Sequence, residues 1–273
     1  MDPAEDLAAA RRTLAGLEAA DLRWIEQQHR IALAVMVQSA ELETDDRWSA
    51  ALEEFQAAVS APSARAYDHT DDLLLDQAAL ALQAGDEAQG QEALLRLIRE
   101  YPTSPLVPHA YASFADHMFD AGQVHEAAML YDKLMHWAQP ELVAYAAYRT
   151  GWCHLRDEAG SEPKALELLV RAARAAHDVD GVWGRRLAAT ALGDATLAYV
   201  EVGKPNAARA FFTRVAADVD VDPEGPLRRL ADAYADLGDD EAAASVLGEL
   251  ADPAVVSHPA RARHGRATDA PAG

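Results

Sequence analysis

Residues 108–140 read PHAYASFADHMFDAGQVHEAAMLYDKLMHWAQP, and the architecture follows from how this stretch is parsed. Tyr111, Phe114, Ala115 and Met118 recur at spacings of three, one and three, which gathers them on one side of a helix. Gly122 follows, the residue that most readily ends a helix at positive φ. Beyond it Ala127, Tyr131 and Leu134 are spaced by four and three, again one helical face. Pro140 cannot continue a helix. The stretch therefore predicts a helix, a tight turn and a second helix.

Working outward, the same grammar repeats. Turn glycines stand at Gly85, Gly122, Gly160, Gly203 and Gly238, with gaps of 37, 38, 43 and 35 residues, and each is expected to cap a helix at positive φ. In each following helix a small residue is succeeded four positions on by a large apolar one and three further by another. The sets are Gly90-Leu94-Leu97, Ala127-Tyr131-Leu134, Ala165-Leu169-Ala172, Ala208-Phe212-Val215 and Ala243-Leu247-Leu250, and Ala51-Phe55-Ala58 fits the frame upstream. The small residue lets a paired helix approach, and the larger ones fill the seam. The fold class is all-α: a right-handed α-solenoid of stacked helix–turn–helix units.

At these residues the chain resembles the tetratricopeptide repeat family, over about residues 66 to 251 with a weaker extension back to about residue 22. The 108–140 unit matches best. In the next, Gly151 takes the place of the family's small first-helix residue, while Asp157–Ser161 adds about two residues before the second helix. Tyr101-Pro102-Thr103-Ser104-Pro105, followed by Pro108, Ala110 and Tyr111, is similar to linkers in bacterial envelope and motility-machinery members.

Three segments are expected: residues 1–65 as a helical cap with a degenerate repeat, 66–251 as about five helix pairs, and 252–273 as a disordered tail. Residues 1 to about 42 read as one long helix or two shorter ones, and Thr44 or Asp45 is placed to cap the next. Terminal pairs of this kind shield the end of a repeat stack, and a homodimer through them is the alternative. The tail carries Pro253, Pro259, Pro271 and basic residues Arg261, Arg263 and Arg266 without a buried face.

A net charge of −21 repels phosphate backbones, so nucleic acid is not the expected partner; basic and apolar polypeptide is. The single cysteine, Cys153, excludes an intrachain disulfide and reads as a buried structural thiol. No apolar run approaches the length of a membrane span, and no leader pattern follows Met1. The chain thus reads as cytoplasmic, or as periplasmic and envelope-associated if a leader was trimmed away. No phosphate-cradling loop, nucleophile elbow or zinc-protease motif occurs, so no catalytic residues, cofactor or metal are expected. The densest group of metal-ligand types, His109, Asp116, His117, Asp120 and His125, has too few members in register for a closed site.

The resemblance places function on a concave groove built from first helices. Carried over by register, its wall comprises His109, Ala112, Asp116, Phe119 and Asp120, then Tyr145, Tyr148, Trp152, Leu155 and Arg156, flanked by Leu75, Leu82, Gln83, Leu197 and Val200. The partner-binding set is His109, Asp116, Phe119, Asp120, Tyr145, Tyr148, Trp152 and Arg156: aromatic anchors beside carboxylates suited to a basic side chain. The other reading of Tyr148 and Trp152 is that they pack against the next helix pair. With Arg156 alone as a base, this wall does not suit the clamp by which chaperone adaptors hold acidic C-terminal peptides. The expected function is a non-catalytic scaffold or adaptor that holds a partner peptide or helix. The alternatives are a recognition subunit of a separately encoded enzyme and a metal- or small-molecule-binding helical protein.

Overall fold

The computed structural model describes residues 3–44, 46–137 and 139–248, and among them every regular element is helical. The chain divides into two compact units between His117 and Met118. The Asp45 cap, Leu250 of the last triad and the 252–273 tail lie outside the described residues.

The first unit begins with α1 (Pro3–Leu14), α2 (Leu22–Ala40) and α3 (Ser49–Ser60), followed by a single 3₁₀ turn at Ala64–Ala66. Each of these helices packs on its neighbour in sequence. The N-terminal residues therefore form two helices, broken after Leu14 and restarted by Asp21, whose carboxylate accepts from the Arg23 amide. Ile25, Ile31, Ala32 and Val35 of α2 face Ala51, Phe55 and Ala58 of α3 in a dry seam. Glu54 ties the seam's edge, accepting from Gln28 Nε2 at 2.7 Å and pairing with Arg11 at 2.9 Å. Thr44 does not cap α3, which starts five residues later behind Trp48 with no side-chain cap bond. Trp48 is 8% exposed, so burial of its indole, rather than a polar cap, sets where the helix enters.

The unit continues with α4 (Thr70–Gln83) and α5 (Glu87–Glu100), which pack as a hairpin. A Cβ on Gly90 would lie 2.6 Å from Leu82 Cγ, so the small residue at the head of the triad is what allows α5 to close on α4. α6 (Val107–Asp120) holds the boundary between the units, and α7 (Val124–Leu134) follows.

The second unit adds α8 (Pro140–Arg156), α9 (Glu162–His177), α10 (Val182–Val202), α11 (Pro205–Asp218), α12 (Glu224–Asp236) and α13 (Asp240–Leu247). Here α7 packs on α8, α8 on α9 and α9 on α10, the alternation in which each second helix serves the next pair's first. First helices also meet first helices, α8 with α10 and α10 with α12. The described members of all six triads are buried except Leu247, which is half-buried.

The turn glycines divide into two kinds. Gly85, Gly122 and Gly238 sit at φ near +80°. At each, the glycine amide donates three residues back and the next amide donates five back, for example Gly122 to Phe119 and Gln123 to Met118. That is the pattern in which a left-handed residue satisfies the last carbonyls of a helix. Gly160 and Gly203 do not share it, contrary to the expectation for all five. Gly203 is extended, at φ −82° and ψ 166°, and its missing Cβ makes room for the Tyr199 ring. Gly160 is a steric requirement too: a Cβ there would meet the His154 carbonyl oxygen. The longer Asp157–Ser161 connection does not weaken its pair, because α8 and α9 pack closely along their lengths. The extended Gly203 turn has a visible consequence: α10 packs mainly on α9 and α12 and only lightly on α11. A groove of about 590 Å³ lies between α9 and α11, floored by Leu166, Val170 and Phe211.

Candidate functional site

The eight residues assigned to the wall fall into distinct environments. His109 and Asp116 are in the first unit, exposed and half-buried respectively. The other six are in the second unit. Phe119 is 1% exposed, while the Asp120 side chain is 76% exposed. Tyr145 and Arg156 are half-buried, and Tyr148 and Trp152 are buried at 4% each.

Around Phe119 the second unit builds a cation–aromatic cluster. The guanidinium carbons of Arg149 and Arg156 stand 4.1 and 4.3 Å from the ring centroid, within the range in which a cation is attracted by the ring quadrupole. Arg149 is only 5% exposed. Its Nε donates to the Tyr131 hydroxyl at 2.9 Å, and its Nη2 approaches Asp120 Oδ1 at 3.9 Å. Tyr145 meets the Tyr131 ring edge-on at 6.2 Å. Arg156 Nη1 donates to the Phe119 carbonyl at 3.4 Å, as a second donor beside the Gly122 amide at the end of α6. Phe119, Asp120, Tyr145 and Arg156 are thus brought together, on a buried arginine that sequence reasoning missed. The missed signal is a register position: Arg149 lies one turn from Tyr145 and two from Arg156, on the same face of α8.

Tyr148 and Trp152 turn instead toward α10. The Tyr148 hydroxyl and Trp152 Nε1 both donate to Asp194 Oδ2, at 2.8 and 3.2 Å. Arg229 of α12 reaches over to Asp194 Oδ1 at 3.8 Å. Burial raises the Asp194 pKa above the usual carboxylate value, and the two donors and Arg229 oppose that shift. The Tyr148 hydroxyl is raised as well, by burial first and by the adjacent carboxylate second. One carboxylate therefore joins three first helices, and nothing in a single-residue reading of α10 marks it.

The first unit has its own titratable group where α2 meets the start of α4. His29 Nδ1 lies 3.1 Å from the Tyr67 hydroxyl, and His69 Nδ1 lies 3.0 Å from Asp72 Oδ2. Burial lowers the His29 pKa, and burial with Asp72 repulsion raises that of Asp76. Among the described residues no three His, Cys, Asp or Glu side chains converge as metal ligands. His117 faces Glu87 at 3.8 Å, and Asp120 faces Arg149. Cys153 is 2% exposed within α8. No described helix is long and apolar enough to cross a membrane.

No curated protein matches the chain. Residues 72–104, which run through α4, the Gly85 turn and α5, match the family model described as tetratricopeptide repeat.

Proposed function

We propose that the chain is a protein-binding scaffold whose first helices hold a segment of a partner polypeptide. In the second unit the face concerned comprises Asp120, Tyr145 and Arg156, with Leu197 of α10 and Arg229 of α12 beside them. The observation that carries this reading is a division of labour within the Phe119 cluster. The Phe119 and Tyr131 rings and the Arg149 guanidinium are buried, whereas the Asp120 carboxylate, 3.9 Å from Arg149 Nη2, is three-quarters exposed. A carboxylate left at the surface above a buried cation–aromatic cluster is open to a basic side chain of a partner. The net charge of −21 favours a partner with basic side chains, and exposed Leu197 offers it an apolar contact. His109 and Asp116 belong to the first unit and are proposed as partner contacts of that unit in its own right, while Tyr148 and Trp152 support the second unit's face from beneath.

The test is affinity capture from the source cell followed by reconstitution with the purified partner. Asp120→Lys and Tyr145→Ala should each weaken the reconstituted complex, about tenfold or more for the charge reversal. Arg171→Glu, on the second helix α9, should not. Loss of binding with the α9 variant and retention with both others would move the interaction to the opposite face and refute the proposal.

A further inference from the structure

Asp194 is built like half of a recognition site. Its side chain is only 14% exposed, and its Oδ2 is held by two neutral donors, the Tyr148 hydroxyl and the Trp152 indole N–H. Those donors orient the carboxylate without cancelling its charge. Its other oxygen faces a notch over the preceding residue, Gly193. An ideal Cβ on Gly193 would stand 2.6 Å from Arg229 Nη1 and 3.3 Å from Arg229 Cζ, so the absent side chain is what lets the tip of a cationic side chain reach α10 there. Arg229 itself is a loose occupant. Its side chain is 63% exposed, and its nearest approach to Oδ1, 3.8 Å, exceeds hydrogen-bond length. Asp194 Oδ1 keeps its accepting capacity in a place that this chain's own arginine already reaches, and a guanidinium can direct two N–H groups of one planar fork at that single oxygen, which a compact ammonium cannot.

We propose that the Gly193–Asp194 notch is a binding site for an arginine side chain of a partner polypeptide, with Arg229 as its resident, displaceable stand-in. The proposal rests on the reading of the first helices as the binding face and names the chemistry that face selects. The Arg229–Asp194 pair lacks a hydrogen bond and its cation is mostly exposed, so an incoming guanidinium that approaches Oδ1 at hydrogen-bond distance displaces it at small cost. Arg229 then swings into solvent, which its exposure already permits.

The experiment titrates acetyl-arginine amide into the ¹⁵N-labelled full chain and follows the Trp152 indole N–H resonance, assigned with Trp152→Phe. Arg229→Ala should bind saturably with a shift at Trp152, and the unaltered chain should bind roughly two- to fivefold more weakly, the worth of the exposed pair it must break. Acetyl-lysine amide should bind less well than the arginine probe. Arg229→Ala combined with Asp194→Asn should lose the response. Arg229→Ala combined with Gly193→Val, which keeps the carboxylate and fills the notch, should lose it too and covers the case in which the asparagine variant does not fold. No saturable shift in Arg229→Ala, or equal binding by the Gly193→Val form, overturns the proposal. Because the probe needs no partner protein, a silent Trp152 together with intact partner capture sinks this inference alone, whereas failed capture with a responsive Trp152 sinks only the scaffold reading.

Discussion

Removing one oxygen atom from Tyr131 should cost the second unit about 1.5–3 kcal/mol, because the donor left behind is charged and buried. Arg149 Nε donates to the Tyr131 hydroxyl at 2.9 Å, Tyr131 is fully buried, and Arg149 is 5% exposed. Tyr131→Phe keeps the ring, its place in the Ala127-Tyr131-Leu134 seam and its edge contact with Tyr145. What it changes is the acceptor. Water has little access to replace that acceptor, so the Nε–H loses its bond while the rest of the guanidinium keeps its other contacts. Arg149→Met is different. It removes the charge whose burial was costly, substitutes a flexible apolar chain of similar length, and gives up the attraction to the Phe119 ring, about 1 kcal/mol. The remaining loss is the bond that the Tyr131 hydroxyl accepted, so this variant should cost about 1–2 kcal/mol.

The two changes together should cost less than their sum. In the double variant neither a donor nor an acceptor is stranded, and replacement of both partners by apolar groups is close to neutral for the bond itself. A coupling of about 1.5 kcal/mol is expected from a double-mutant cycle in urea unfolding followed by helical circular dichroism. In thermal melts Tyr131→Phe alone should lower the second unit's midpoint by about 3–12 °C, taking 2–4 °C per kcal/mol for a unit of this size. Additivity within about 0.5 kcal/mol would refute the reasoning, since it would mean that Arg149 and Tyr131 do not depend on one another.

Glycine substitutions should separate steric from conformational need. Gly160→Ala forces a Cβ onto the His154 carbonyl oxygen, a backbone atom, and should lower the melting midpoint by several degrees. Gly193→Ala displaces only the exposed end of Arg229 and gains helix propensity, so it should raise stability by about 0.5–1 kcal/mol. A destabilised Gly193→Ala would show that Arg229 is held more firmly than its exposure implies. The folded pKa of Asp76 is raised, so the fold favours its protonated form, and the stability this group contributes is full below the unfolded value near 4 and is lost as pH rises through the folded value. Asp76→Asn should therefore be more stable than the parent at pH 7 and lose that advantage below about pH 4 in melts across pH. His29 has the opposite sense: its folded pKa is lowered, so its contribution is present above the unfolded value near 6.5 and is lost as pH falls through the folded one. Replacing it with Gln should flatten the stability curve between about pH 5 and 7, and an unchanged slope would remove His29 as the cause.

The repeat was legible because its signal is periodic. A small residue followed at four and at seven positions marks a seam in whatever helix carries it, and the described triads do lie in seams, from Ala51-Phe55-Ala58 to Ala208-Phe212-Val215. The glycines were legible as turns but not as conformations. Gly122 and Gly203 occupy the same place in their units, yet one is left-handed and the other extended, because the Tyr199 ring fills the space beside Gly203. That ring comes from the preceding turn of helix, and a pattern of spacings carries no information about where a ring points. Start sites show the same limit: Thr44 has the chemistry of a cap, but burial of Trp48 sets the entry to α3.

Register alone does not say where each side chain of the wall turns. Family register puts Tyr148 and Trp152 on one face with Tyr145 and Arg156, and on an isolated α8 they would share it. What divides them is a neighbour. Asp194 on α10 offers a buried acceptor to Tyr148 and Trp152, and Phe119 at the end of α6 offers a ring to Arg149 and Arg156. Each polar tip goes where a buried partner is available, since an unsatisfied buried donor costs more than a contact at the surface gains. What remains outward is whatever found no internal partner close enough to bury it, here the Asp120 carboxylate and the Arg229 guanidinium. These two opposite charges stand over a buried arginine and a largely buried aspartate, residues that read in the sequence as ordinary solvated helix positions. Under the proposed function, contact groups are therefore sought among the charges that the interior approaches without enclosing, rather than by counting aromatics along the inner helices.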